Sequence, residues 1–182
     1  MACNTELNGI ADDCKNVYGG VVEVKAIAKE HLDTVTITDG EVTALTFDSG
    51  GPSLSDYYFK EGDATANTES EINFDESTTV FNNHINLVLK GQNLAKRNEL
   101  MLLAKAQQEL IVLYKLDTGV IFALGLTDGE DGKKIGARVM ELTGELGARR
   151  ADANKYDLQI GVEQDKELPL VVDSTVYNGL VA

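Results

Sequence analysis

The chain has 182 residues, 43% of them hydrophobic, and a formal net charge of -14 from 30 acidic and 16 basic side chains. The length suits one domain, or one domain with an extended arm, and the apolar content supports a packed core rather than wholesale disorder. The acidic balance argues against a protein that grips nucleic acid, a task that draws on clustered Lys and Arg. It stays compatible with solubility alone, or with a surface that nucleic acid passes without sticking.

The opening MACNTELNGIADDC has no basic n-region and no apolar h-region, so folding in a cytoplasm is expected. No apolar run approaches the roughly 18 residues that cross a bilayer, so no membrane insertion is expected. Cys3 and Cys14 are the two cysteines, and their spacing fits no four-ligand zinc pattern. Free thiols in a reducing compartment are expected, with a disulfide after release from the cell as the alternative.

Residues 1–19 are polar and turn-rich and read as an N-terminal arm. From Val21 the pattern becomes strand-like, in VVEVKAIAKE and then DTVTITDGEVTALTF. Val35 and Ile37 alternate with threonines, Asp39-Gly40 supplies a hairpin turn, and Val42, Ala44 and Thr46 continue beyond it. The segment 48–75 is rich in Gly, Ser, Asp and Thr and predicts a long polar hairpin or loop. After it, Val80, Ile85, Leu87 and Leu89 mark a further strand. A polar ribbon of this kind is marginal alone, so a partner chain is expected beside it.

A helix over about 94–109 follows, with Asn93 as its N-cap. LIVLYKL and VIFALGL then form two strands joined through Asp117-Thr118-Gly119, apolar nearly without alternation and so buried on both faces. One face must meet a second sheet, and the other is expected to meet the helix. Three more strands are expected from ARVMELTGEL, YDLQIGVEQ and LPLVVDSTVY, with Val139, Leu142, Leu158, Ile160 and Val162 pointing inward. The sum is mainly β: an antiparallel β-sandwich or partly closed barrel of roughly eight to ten strands with one flanking α-helix.

Chemistry is sparse. His31 and His84 accompany no nucleophile elbow and no cysteine at a suggestive spacing. GLTDGEDGKK fails as a phosphate loop at Thr127 and Lys134, and breaks the calcium-loop pattern at Gly132. No catalytic residue, cofactor or metal is therefore expected, and the chain does not read as an enzyme. An acidic extracellular β-sandwich binding carbohydrate is an alternative, opposed by the absence of tryptophan.

The helix poses a problem of coverage. At about 100° per residue, Leu100, Met101, Leu102 and Leu103 point to every side, so one sheet cannot cover them all. Candidate covers are the segment 48–75, the N-terminal arm or a neighbouring copy. Leu100–Leu103 and the basic pair Arg149-Arg150 are thus the expected subunit-interface residues.

The order of elements, with LVLKGQNLAKRNELMLLAKAQQELIVLYKLDTGVIFALG and ELTGELGARRADANKYDLQIGVE as the closest local likenesses, resembles the tail-tube proteins of tailed bacteriophages. The tubes of contractile injection and secretion systems are similar. CNTELNGIADDCKNVYGGVVEVKAI also resembles the start of such virion proteins in phages of gut Bacteroidetes-type hosts. The resemblance implies residues 20–182 as a single tail-tube-like β domain. It implies a homo-oligomeric ring, with a hexamer as the expected form, that joins sheets of adjacent subunits and contacts neighbouring tail or neck proteins. It implies a virion tail assembled in the host bacterial cytoplasm, through which DNA passes transiently without specific binding. Candidates to face that lumen are Glu71, Asp75, Glu141 and Glu145.

Overall fold

The computed structural model describes residues 20–48, 54–60, 62–73, 78–106, 108–128, 134–145, 154–165 and 168–180. Thirteen strands and two α-helices lie among them. In chain order the first half holds β1 (Val21–Ala28), β2 (Leu32–Thr38), β3 (Glu41–Phe47), β4 (Ser55–Tyr58), β5 (Ala64–Asn73), β6 (Thr78–Lys90) and α1 (Leu94–Ala106). The second half holds β7 (Leu110–Leu116), β8 (Ile121–Leu124), β9 (Thr127–Asp128), β10 (Lys134–Ile135), β11 (Arg138–Glu145), β12 (Lys155–Asp165), β13 (Leu170–Val172) and α2 (Ser174–Gly179).

Seven strands form one sheet in the order β2-β3-β13-β8-β7-β1-β4, and four form a second in the order β11-β12-β6-β5. β9 and β10 make a separate two-stranded ribbon. Among the described residues both large sheets stay open, so the fold is two sheets and not a closed barrel. The expectation of antiparallel pairing throughout is corrected at one place. β13 runs parallel to β3, with Val171 opposite Glu41 and Val172 opposite Val42. Hairpin turns enforce antiparallel neighbours, but β13 arrives from the other sheet and slots between β3 and β8, free of that constraint.

Local chemistry explains the turns. Asp39 and Gly40 have φ of 52° and 82°, the left-handed pair that a two-residue hairpin between β2 and β3 requires. Thr36 pairs with Ala44 and Ile37 with Val42, leaving Thr43 as an extra residue. That bulge breaks the expected alternation, so Val42 and Leu45 are buried while Ala44 is exposed.

The faces of β7 divide between two cores. Val112 and Tyr114 meet Leu87, Leu158 and Ile160 across the sandwich. Ile111 and Leu113 pack in a second core with Val42, Leu45, Leu170 and Tyr177. Burial on both faces is therefore real, but the outer cover differs from expectation. It is α2, not α1, that brings Tyr177 onto this face. The expected strand over LPLVVDSTVY ends at Val172, because the Asp173 carboxylate accepts from the backbone N–H groups of Thr175 and Val176 and starts a helix.

The segment 48–75 is not one loop. β4 pairs with β1 at the edge of the seven-stranded sheet, and β5 crosses to pair with β6 along its whole length, from Ala64 opposite Leu87 to Asn73 opposite Thr78. Within the sandwich Leu158, Ile160 and Val162 are buried and Val139 and Leu142 pack against them, as the alternation predicts.

Candidate interaction surfaces

Helix α1 starts as its sequence directs, with the Asn93 side-chain oxygen accepting from the backbone N–H of Lys96 at 2.8 Å. It ends earlier than the expected 109. Glu109 lies past the helix, just before β7, and ties Lys29, just after β1, to Arg138 at the start of β11. Its carboxylate takes Lys29 at 2.5 Å and Arg138 at 2.8 Å, and its carbonyl accepts from the Lys29 N–H. The Lys29 hydrogen bond, aided by Arg138, keeps this carboxyl below the usual carboxylate range against the opposing effect of burial.

The four consecutive apolar residues of α1 divide by angle. Leu100 is 4% exposed and Leu103 packs beside it, about 60° apart on the face turned to the chain's own core. Met101 is half-buried, whereas Leu102 is 67% and Leu94 71% exposed. One stripe is used within the chain, and another is left open. Arg149 and Arg150, the other expected interface residues, lie outside the described residues.

Beneath α1 the two sheets do not close on each other. A gap of about 350 Å³ runs between Val24 and Ala26 of β1, Leu87 and Leu89 of β6, and Leu158 and Ile160 of β12. Leu100 and Leu103 roof it, and Leu102 stands at its lip. The rim carries Ser55, Tyr57, Lys96, Glu99 and Gln108. The Tyr57 hydroxyl donates to the Glu99 carboxylate, and burial followed by that carboxylate pushes the hydroxyl's pKa up. A gap with this lining offers water few hydrogen-bond partners, so it suits an apolar side chain or ligand.

A second surface is the outer face of the four-stranded sheet. Strand register places Glu69 opposite Asn82, Glu71 opposite Val80 and Glu141 opposite Gln159. Glu69, Glu71, His84, Met140, Gln159 and Glu163 border one shallow hollow there. Glu141, Glu145 and Asp157 border the next. Three of the four lumen candidates, Glu71, Glu141 and Glu145, thus share a face, while Asp75 lies outside the described residues. Glu69, Asp157 and Glu163 join them, readable in hindsight from alternation with Ser70, Leu158 and Val162.

Cations on this sheet are engaged. Lys155 pairs with Asp157 at 2.9 Å and Glu145 at 3.4 Å, and Lys90 pairs with Asp63 at 2.6 Å. His84 sits in the acidic hollow, and His31 lies 3.6 Å from Glu30 elsewhere. Among the described residues no group of three or more His, Cys, Asp or Glu side chains is placed to hold a metal ion. No described helix is long and apolar enough to cross a membrane.

Among the described residues no strand pairs along the outer side of β5, nor along β11 beyond the Leu110–Ala137 bridge at its start. Unpaired strand edges are templates for further pairing. Fold and surfaces together define a mainly β, two-sheet protein with one acidic sheet face and an open apolar gap. No protein-family model matches the chain, and no curated protein matches it.

Proposed function

We propose that this chain is a structural virion protein that assembles with its own copies into a ring or tube of a bacteriophage tail, a conduit for DNA ejection. The observation that carries the reading is the four-stranded sheet, which combines an acidic outer face with two edge strands, β11 and β5, that no described strand pairs along their length. Pairing of β5 of one subunit with β11 of the next extends that sheet around a ring. Its outer face then becomes a lumen lined by Glu69, Glu71, Glu141 and Glu163, which repels phosphate so that DNA slides without sticking. The exposed Leu94 at the start of α1 suits contact with a neighbour. A tube protein of a contractile injection or secretion system would share every one of these features.

Negative-stain imaging with light scattering at rising concentration tests the reading. Closed rings or stacked tubes are expected, and a monodisperse single-copy particle at all concentrations would sink it. Glu71→Lys with Glu141→Lys then probes the face. Rings of unchanged shape that retain DNA in a salt-dependent way are expected, where the parent rings retain none.

A further inference from the structure

We propose that Lys25 and Asp56 form an isopeptide bond, a covalent amide between their side chains, with Glu23 moving a proton during the reaction. Among the described residues Lys25 is the one charged residue that is buried, at 7% exposed. It stands directly opposite Asp56 in the antiparallel pairing of β1 with β4, and its Nζ lies 3.5 Å from Asp56 Oδ1. Glu23 lies two residues earlier on the same face of β1, with Oε1 3.9 Å from that Nζ. The Tyr177 ring is 5.0 Å from the nitrogen, and the Leu180 carbonyl accepts from it at 3.3 Å, so α2 and its C-cap close over the site.

The pair is poorly satisfied as two ions. Asp56 Oδ1 is buried and has no hydrogen-bond partner among the described residues. The pairs Lys29–Glu109, Lys90–Asp63 and Lys155–Asp157 lie closer, at 2.5, 2.6 and 2.9 Å, and each has a more exposed lysine. Holding two charges out of water without good hydrogen bonds is costly, and an amide removes both. The reaction balances with no added reagent. The Lys25 ammonium gives one proton to the Asp56 carboxylate, which leaves a neutral amine beside a carboxylic acid. The Nζ lone pair attacks Asp56 Cγ and the C–N bond forms. A second proton leaves the nitrogen for Glu23, which hands it to the departing hydroxyl. The Cγ–O bond breaks, and one water is released. The product staples β4, a four-residue edge strand paired with β1 alone, without the oxidising compartment a disulfide needs. The inference is independent of ring formation, since the bond lies within one chain.

Mass spectrometry of the unfolded full chain tests it. The expected mass is that of the sequence less one water. Trypsin is expected to leave Lys25 uncut and to yield residues 16–29 joined to residues 30–60. Asp56→Ala is expected to show its own full sequence mass and a cut after Lys25. Glu23→Gln is expected to slow joining about 100-fold, so that most purified chains stay open, with the β circular-dichroism signal unchanged. A folded parent chain at full sequence mass and cut after Lys25, a water lost at another residue instead, or joining as complete in Glu23→Gln as in the parent would each overturn the proposal. A joined chain that forms no rings would remove the tube reading and leave this one standing.

Discussion

β7 and β6 are both interior strands, paired on either side in their two sheets, and they read differently because their surroundings differ. In β7, LIVLYKL is buried at five successive positions, since the second sheet covers one face and α2 with the β2–β3 hairpin covers the other. In β6, Asn83, Ile85 and Leu87 are buried while His84, Asn86 and Val88 are not, because no described element covers the outer face. A strand's sequence thus records how many of its faces are enclosed. The uncovered face is also the acidic one, which ties packing to the proposed conduit.

That contrast can be broken deliberately. Leu113→Ala on β7 removes a fully buried side chain and should cost about 2–5 kcal/mol by denaturant unfolding. The test of the comparison is Gln159→Ala on the outer face of β12, which should stay within about 0.5 kcal/mol. Equal losses at the two sites would show the outer face to be as enclosed as the inner one.

Gly125→Ala should come next, at about 2–3 kcal/mol. Gly125 has φ of 86°, and a methyl group there would lie 2.3 Å from the Leu110 carbonyl oxygen. Asp173→Ala removes the cap that turns the chain into α2 and should cost about 1 kcal/mol, read by thermal melting.

Acid should act through Glu109. Its folded pKa is depressed below the ordinary 4.5, so its contribution is present above that value. As pH falls from 4.5 through the lower folded value, the contribution is lost. Glu109→Gln should therefore flatten the stability-versus-pH curve in that window, and an unchanged slope would separate Glu109 from the acid response.

Much of the fold was legible because short-range rules governed it. Asp39-Gly40 and Asp117-Thr118-Gly119 made their turns, Asn93 capped its helix, and period-two alternation in β12 put Leu158, Ile160 and Val162 inside. Other features depended on partners distant in sequence. Thr43 bulges to keep β2 and β3 in register, and Glu109 abandons the helix for Lys29 and Arg138. Lys25 is 7% exposed, held by Asp56 at 3.5 Å, Glu23 at 3.9 Å, the Leu180 carbonyl at 3.3 Å and the Tyr177 ring at 5.0 Å. No local pattern around residue 25 announces that α2 will cover it.

The candidate surfaces split in the same way. The acid count and the alternation on β5 and β12 were there to read, but their merger onto one face required the β11-β12-β6-β5 order. Leu100 through Leu103 announced too much apolar surface for one stripe, while only packing decided that Leu100 turns in and Leu102 turns out.

By itself the sequence determined the mainly β class, most turns and caps, and which residues are apolar enough to be buried, because φ preferences and side-chain periodicity act over a few residues. The tertiary structure decided which sheet each strand joins, the parallel docking of β13 and the helix that covers the outer core. It also decided where an apolar gap is left open. Those outcomes depend on contacts between residues far apart along the chain, whose geometry no local pattern encodes.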